Sequence, residues 1–177
     1  EFGKPVVAQL KEKLEPKGYT ITEIENIKNN VWCRDFMPVK ANGNLMKFRY
    51  EPIYLTEAIK WKKTIPDVIQ ILNDLGIEGY SESDLKLDGG AIEVFGNQAI
   101  VSDRLLRENR DYYNITEILE KIKADLALER LIVVPEHPDD FTGHVDGIVR
   151  FIDEKTVLIN QESPIDPGIK NSYKRKM

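Results

Sequence analysis

Apolar residues along this chain run through three rounds of one pattern. Helical spacing comes first, then a short apolar or alternating run, then a polar loop, then two short runs around a tight turn. In the second round Ile65, Val68, Ile69 and Leu72 lie three or four residues apart. The spacing predicts a helix capped by Thr64, with Asp67 three positions on, and ended by Gly76. In the third round Asn114 and Glu117 repeat the cap and Ile115, Ile118, Leu119, Ile122 and Leu126 form the stripe. Arg130 to Pro135 then reads as a short buried strand. The first round is less regular. Pro5 opens a helix carrying Val6, Val7, Leu10 and Leu14, and Lys17-Gly18 leads into Tyr19 to Ile24, which alternates as a half-buried strand does.

Each round closes with a predicted β-hairpin: 37–50 around Asn42-Gly43, 91–102 around Gly96-Asn97, and 147–160 around Asp153-Glu154-Lys155. Immediately before each hairpin stands an acidic loop: Trp32-Cys33-Arg34-Asp35, Leu87-Asp88-Gly89-Gly90 and Gly143-His144-Val145-Asp146. The marker acids Asp35, Asp88 and Asp146 are 53 and 58 residues apart (88 − 35 and 146 − 88), the spacing of a repeated unit. The order predicts small mixed sheets, each with a helix on one side, in an α/β fold. A radial, propeller-like arrangement is preferred over one open sheet because it turns the equivalent loops toward a shared centre. The expected organisation is a single domain over 1–177, with units of about 3–60, 61–111 and 112–165 and the start of another at 166–177. Neither end reads as a cap of such an array, so the chain is expected to be incomplete.

Composition narrows the function. The 177 residues are 41% hydrophobic, enough to bury one core, and the net charge of −5 disfavours a nucleic-acid surface. The basic cluster Lys174-Arg175-Lys176 reads as an exposed helix face. A lone cysteine, Cys33, excludes an intrachain disulfide and suits a reducing compartment. No run approaches a membrane span and no signal peptide opens the chain, so a cytoplasmic location is expected.

In an extended 143–146 segment, His144 and Asp146 point to one face, an imidazole beside a carboxylate suited to proton transfer. The acids that join them suggest a cationic ligand. A metal held by His137, Asp139, Asp140, His144 and Asp146 ranks second, because no second histidine sits at helical ligand spacing and Asp139-Asp140 fits an ordinary turn. A planar organic cation ranks first: two carboxylates grip a guanidinium through paired hydrogen bonds, and Trp32 either stacks on it or fills the core. Arg34 is read as a support that fixes the acidic loops by salt bridge.

In order and spacing, Trp32-Cys33-Arg34-Asp35-Phe36-Met37-Pro38, Leu87-Asp88-Gly89-Gly90 and Gly143-His144-Val145-Asp146 with Arg150-Phe151 resemble the agmatine deiminase and Porphyromonas-type peptidylarginine deiminase family. The resemblance implies a guanidino-group-modifying enzyme with a five-bladed, pentein-like α/β propeller, of which this chain covers about three blades. It implies that Asp35 and Asp146 hold the substrate guanidinium and that His144 is the general acid and base. Trp32, Asp88, Gly89 and Gly90 line the pocket, Asp88 either binding substrate or fixing its loop, while Arg34 and Arg150 support it. No cofactor and no metal is implied. In the family a cysteine near the C-terminus attacks the guanidinium carbon, and no cysteine follows the third loop here. Cys33 is expected to be a buried small hydrophobe, since the family does not place its nucleophile there. The chain alone is therefore expected to be inactive, either as part of a deiminase or as a non-catalytic guanidinium-binding module. Agmatine is preferred over an arginine side chain as ligand. Self-association, or pairing with the rest of the propeller, is expected to cover open blade edges.

Overall fold

A computed structural model describes residues 4–24, 27, 30–57, 59–137 and 140–160. Its helices are α1 (Lys4–Leu14), α2 (Cys33–Phe36), α3 (Ile53–Thr56), α4 (Ile59–Lys62), α5 (Val68–Asp74), α6 (Arg104–Asn109) and α7 (Ile115–Asp125). The strands are β1 (Val39–Ala41), β2 (Asn44–Arg49), β3 (Tyr80–Lys86), β4 (Ile92–Phe95), β5 (Gln98–Ser102), β6 (Arg130–Val134), β7 (Val149–Phe151) and β8 (Val157–Ile159).

All three expected hairpins form: β1 with β2, β4 with β5, and β7 with β8, each antiparallel. The first turns on Asn42 and Gly43, both at positive φ, the geometry that lets a two-residue turn follow strand twist. Among the described residues two mixed sheets form, the third strand of each coming from the next round, while β7 and β8 make a two-stranded antiparallel sheet. β3 pairs parallel to β2, and β6 parallel to β5. A parallel partner needs a long crossover. Helices α3–α5 supply it in the first sheet and α6–α7 in the second. Each strand of the helix–strand unit thus closes the preceding hairpin. The connections from β3 to β4 and from β6 to β7 accordingly carry the chain from one sheet to the next and hold Asp88 and Asp146, while Asp35 lies on α2 just ahead of β1.

The main core joins the two three-stranded sheets to α6 and α7 through Phe48, Leu85, Ile92, Val101, Leu105 and Ile122. Phe36, Tyr50, Val68, Ile71 and Leu72 form a second cluster under α5. Helix α7 begins with the expected capping box: Asn114 accepts from the Glu117 amide at 3.0 Å, and Glu117 accepts from the Asn114 amide at 2.8 Å.

Several expectations are corrected. Asp67, not Thr64, caps α5, accepting from the Gln70 amide, so the helix starts one turn late and buries Ile71 while Ile69 faces solvent. Pro66 explains the delay, since the residue before a proline is disfavoured in the helical region. Residues 19–24 form no strand, and Tyr19 is exposed. Strand β6 exists but is an edge strand among the described residues, and its Ile132 and Val133 are exposed rather than buried. In the stripes, Val6, Leu10 and Ile115 are also exposed. The expected further unit at 166–177, the basic cluster at 174–176 and Asp139 lie outside the described residues.

Candidate active site

The three acidic loops meet through their backbones. Gly90 carbonyl accepts from the amides of Val145 at 2.9 Å and Asp146 at 3.0 Å, tying the second loop to the third. The Gly90 amide donates to Asp35 Oδ1 at 3.1 Å, tying the second loop to the first. Both glycines of Asp-Gly-Gly are required by close approach. A Cβ on Gly89 would lie 1.8 Å from the Arg34 carbonyl oxygen, and one on Gly90 would lie 2.4 Å from His144 Nδ1 and 2.7 Å from Asp35 Oδ1.

His144 sits between two carboxylates. Its Nε2 is 3.2 Å from Asp88 Oδ2 and its Nδ1 is 3.8 Å from Asp35 Oδ1. This corrects the expected pairing with Asp146. The 143–146 segment is not extended but bends at Val145 and enters a turn at Asp146, so the strand geometry that would set the two side chains side by side is absent. Asp146 Oδ2 instead receives Arg34 Nε at 2.8 Å. Arg34 also reaches Glu93 Oε1 at 2.6 Å and the Ile92 carbonyl at 3.0 Å, and Arg150 meets the same Glu93 oxygen at 3.0 Å. Both arginines thus clasp a buried Glu93 beside the acids, and an open cleft of about 440 Å³ lies between Arg34, Gly89, Glu93 and Arg150.

Burial and neighbouring charges together set the titration of Asp35 and His144. Asp35 is 8% exposed, and burial, aided by the nearby charges of Asp88 and Asp146 and opposed by that of His144, pushes its carboxyl up to about 6. For His144 burial alone acts downward. The Asp88 hydrogen bond and the charges of Asp35, Asp88 and Asp146 outweigh it and raise the imidazole above its ordinary value. Asp88 is 2% exposed; its Oδ2 also accepts from the Tyr54 hydroxyl at 2.9 Å, while its Oδ1 is buried without a hydrogen-bond partner among the described residues. Among those residues no lysine or arginine forms an ion pair with Asp35 or Asp88. The site is a buried cluster of carboxylates around one imidazole, next to that cleft.

The other expected residues fall outside that centre. Trp32 is 67% exposed just ahead of α2, so it does not fill the core. Cys33 is exposed rather than buried, because residues 33–36 are a helical turn and not an extended segment. Residues two apart on a helix point about 200° from each other, so burying Asp35 turns Cys33 outward. Asp140, one of the metal candidates, caps the third loop: its Oδ1 accepts from the Thr142 amide and hydroxyl and its Oδ2 from the His144 amide. Among the described residues no group of three histidine, cysteine, aspartate or glutamate side chains is arranged to hold a metal ion, and no helix is long and apolar enough to cross a membrane. Sequence reasoning missed Tyr54 and Glu93. Tyr54 lies on a one-turn helix with no motif around it, and Glu93 looks like one polar position in an alternating strand.

The fold is similar to that of solved agmatine deiminases. A variant of the C. jejuni agmatine deiminase in which a cysteine is replaced by serine, solved with substrate bound, superposes with a TM-score of 0.64 at 21% identity, covering 96% of this chain and 55% of that one. The Enterococcus faecalis agmatine deiminase gives 0.57 at 21% identity, covering 82% of this chain and 45% of that one. The chain thus spans about half the length of the solved structures it matches. Among curated proteins none matches it in sequence. The chain belongs to the Porphyromonas-type peptidyl-arginine deiminase family, whose model matches residues 4–176.

Proposed function

We propose that this chain supplies the guanidinium pocket and the acid–base histidine of a guanidine deiminase, with agmatine as the preferred substrate and an arginine side chain as the alternative. The observation that carries the reading is the pairing of His144 with buried Asp35 and Asp88, neither held by a lysine or arginine among the described residues. A buried carboxylate without a cation is costly, and an arriving guanidinium removes that cost while its planar N–H groups match two acceptors. Asp35 and Asp146 hold the cation from two sides, and the unpartnered Asp88 Oδ1 offers a further acceptor.

The chemistry follows from the charge. A thiolate from a cysteine outside these residues adds to the guanidinium carbon, which the flanking carboxylates keep in its charged, electrophilic form. His144, raised by Asp88 and Asp35, carries the proton that leaves with ammonia, giving a covalent thiouronium. The neutral imidazole then takes a proton from water, which attacks the same carbon and releases the ureido product and the thiol. No cofactor or metal takes part in this scheme. The three acidic loops are read as equivalent positions in successive blades of a propeller, its remaining blades completing the pocket in the folded protein. Supporting this, the two three-stranded sheets share one strand order and β7–β8 repeats its first two strands.

The test is ammonia release from agmatine and from arginine peptides by the product of the uninterrupted gene. Wild type is expected to release ammonia, with agmatine favoured, and His144→Asn to lose the activity by at least 100-fold. Undiminished turnover in His144→Asn would sink the assignment.

A further inference from the structure

Among the described residues Arg104 is the most thoroughly enclosed cation near the site, 3% exposed on α6, and it forms no ion pair with Asp35, Asp88 or Asp146. Its Nη2 lies 2.7 Å from Glu108 Oε1 and its Nε donates to the same oxygen at 2.8 Å. Its Nη1 donates to the carbonyls of Phe141, at 3.1 Å, and Thr142. Its guanidinium carbon stands 4.9 Å from the centroid of the Tyr54 ring. Glu108 in turn accepts from the Ile53 amide at 3.3 Å, at the start of the helix that carries Tyr54. Gly143 completes the packing: a Cβ there would lie 3.0 Å from Arg104 Cδ.

These contacts converge on one carboxylate oxygen. The Tyr54 hydroxyl and His144 Nε2 both reach Asp88 Oδ2, one from α3 and the other from the loop that Arg104 grips two residues upstream. We propose that Arg104, paired with Glu108, is a positioning residue that holds Tyr54 and the 141–144 loop in register so that His144 and Asp88 stay hydrogen-bonded. Replacing a buried ion pair by apolar groups often leaves stability unchanged or improved, so stability alone does not account for this one. A planar five-donor fork joining two separate elements is what Arg offers and Lys does not. The inference rests on the reading of His144 as the acid–base group, but its test does not depend on substrate.

The readout is the imidazole N–H resonance of His144 by NMR in the substrate-free protein, with His137→Gln used to assign it. The charged groups facing that ring are Asp88, Asp35 and Asp146, with Asp140 on its amide. All are kept in the variants. Wild type is expected to show a downfield, slowly exchanging N–H. The double variant Arg104→Met/Glu108→Leu, which removes the pair without stranding a charge, is expected to lose that resonance to solvent exchange while still unfolding cooperatively. Arg104→Lys, which keeps charge and most of the volume, serves if the double variant does not fold, and is expected to lose the resonance as well. Retention of the wild-type resonance and exchange rate in either folded variant overturns the proposal. Failure of agmatine to bind would overturn the deiminase reading instead, leaving this result to stand by itself.

Discussion

Asp35→Asn is expected to make the substrate-free protein more stable at neutral pH while weakening its hold on a guanidinium. An unfolded aspartate ionises near 3.8, and burial raises the folded carboxyl to about 6. Between those values the native state binds more protons than the unfolded one, so stability falls as pH rises. The penalty is absent below 3.8 and complete above 6. A shift of that size corresponds to about 3 kcal/mol at one unit per 1.36 kcal/mol. Asparagine keeps an oxygen for the Gly90 amide, so most of the relief survives the substitution. The variant should therefore gain about 1–3 kcal/mol at pH 8, a rise of roughly 1 M in urea midpoint, and that gain should vanish near pH 4. Urea unfolding of both proteins at the two pH values measures it. A variant less stable than wild type at pH 8, or a difference independent of pH, would refute the reasoning.

Gly90→Ala places a methyl between His144 and Asp35 and should destabilise by roughly 1–3 kcal/mol through overpacking, seen as a lowered melting temperature. Asn114→Ala removes one half of the α7 capping box and should cost about 1 kcal/mol without affecting ligand binding, checked by urea unfolding and agmatine titration. Arg34→Met leaves Glu93 with Arg150 alone and Asp146 without its arginine. Glu93 is already raised by burial against the pull of Arg34, so this loss, roughly 1–3 kcal/mol, should be larger at pH 7 than at pH 4 in paired unfolding curves.

Much of the candidate site's geometry was legible because its residues lie in short motifs with fixed spacing. Asp35, Asp88 and His144 come together from the three acidic loops, and Gly89 and Gly90 stand where a side chain would meet the Arg34 backbone and the His144 and Asp35 side chains. Local turn chemistry likewise located the hairpins and the α7 cap. What escaped were facts settled by tertiary contact. The partner of His144 depends on a turn at 145–148 that the His-x-Asp spacing does not reveal. The outward direction of Cys33 depends on a helical turn too short to show periodicity. The strand that closes each hairpin comes from the next round, a pairing that sequence order does not disclose. Arg104 and Glu108 sit four apart on α6, where such a pair ordinarily lies on a solvated surface.

Calorimetric titration of agmatine into wild type, Asp35→Asn and Asp146→Asn tests the guanidinium pocket most directly. Each charge-assisted contact of this kind contributes about 1.5–3 kcal/mol, so either substitution should weaken agmatine binding by roughly ten-fold or more. Binding in both variants as tight as in wild type would contradict the assignment of these carboxylates to a guanidinium.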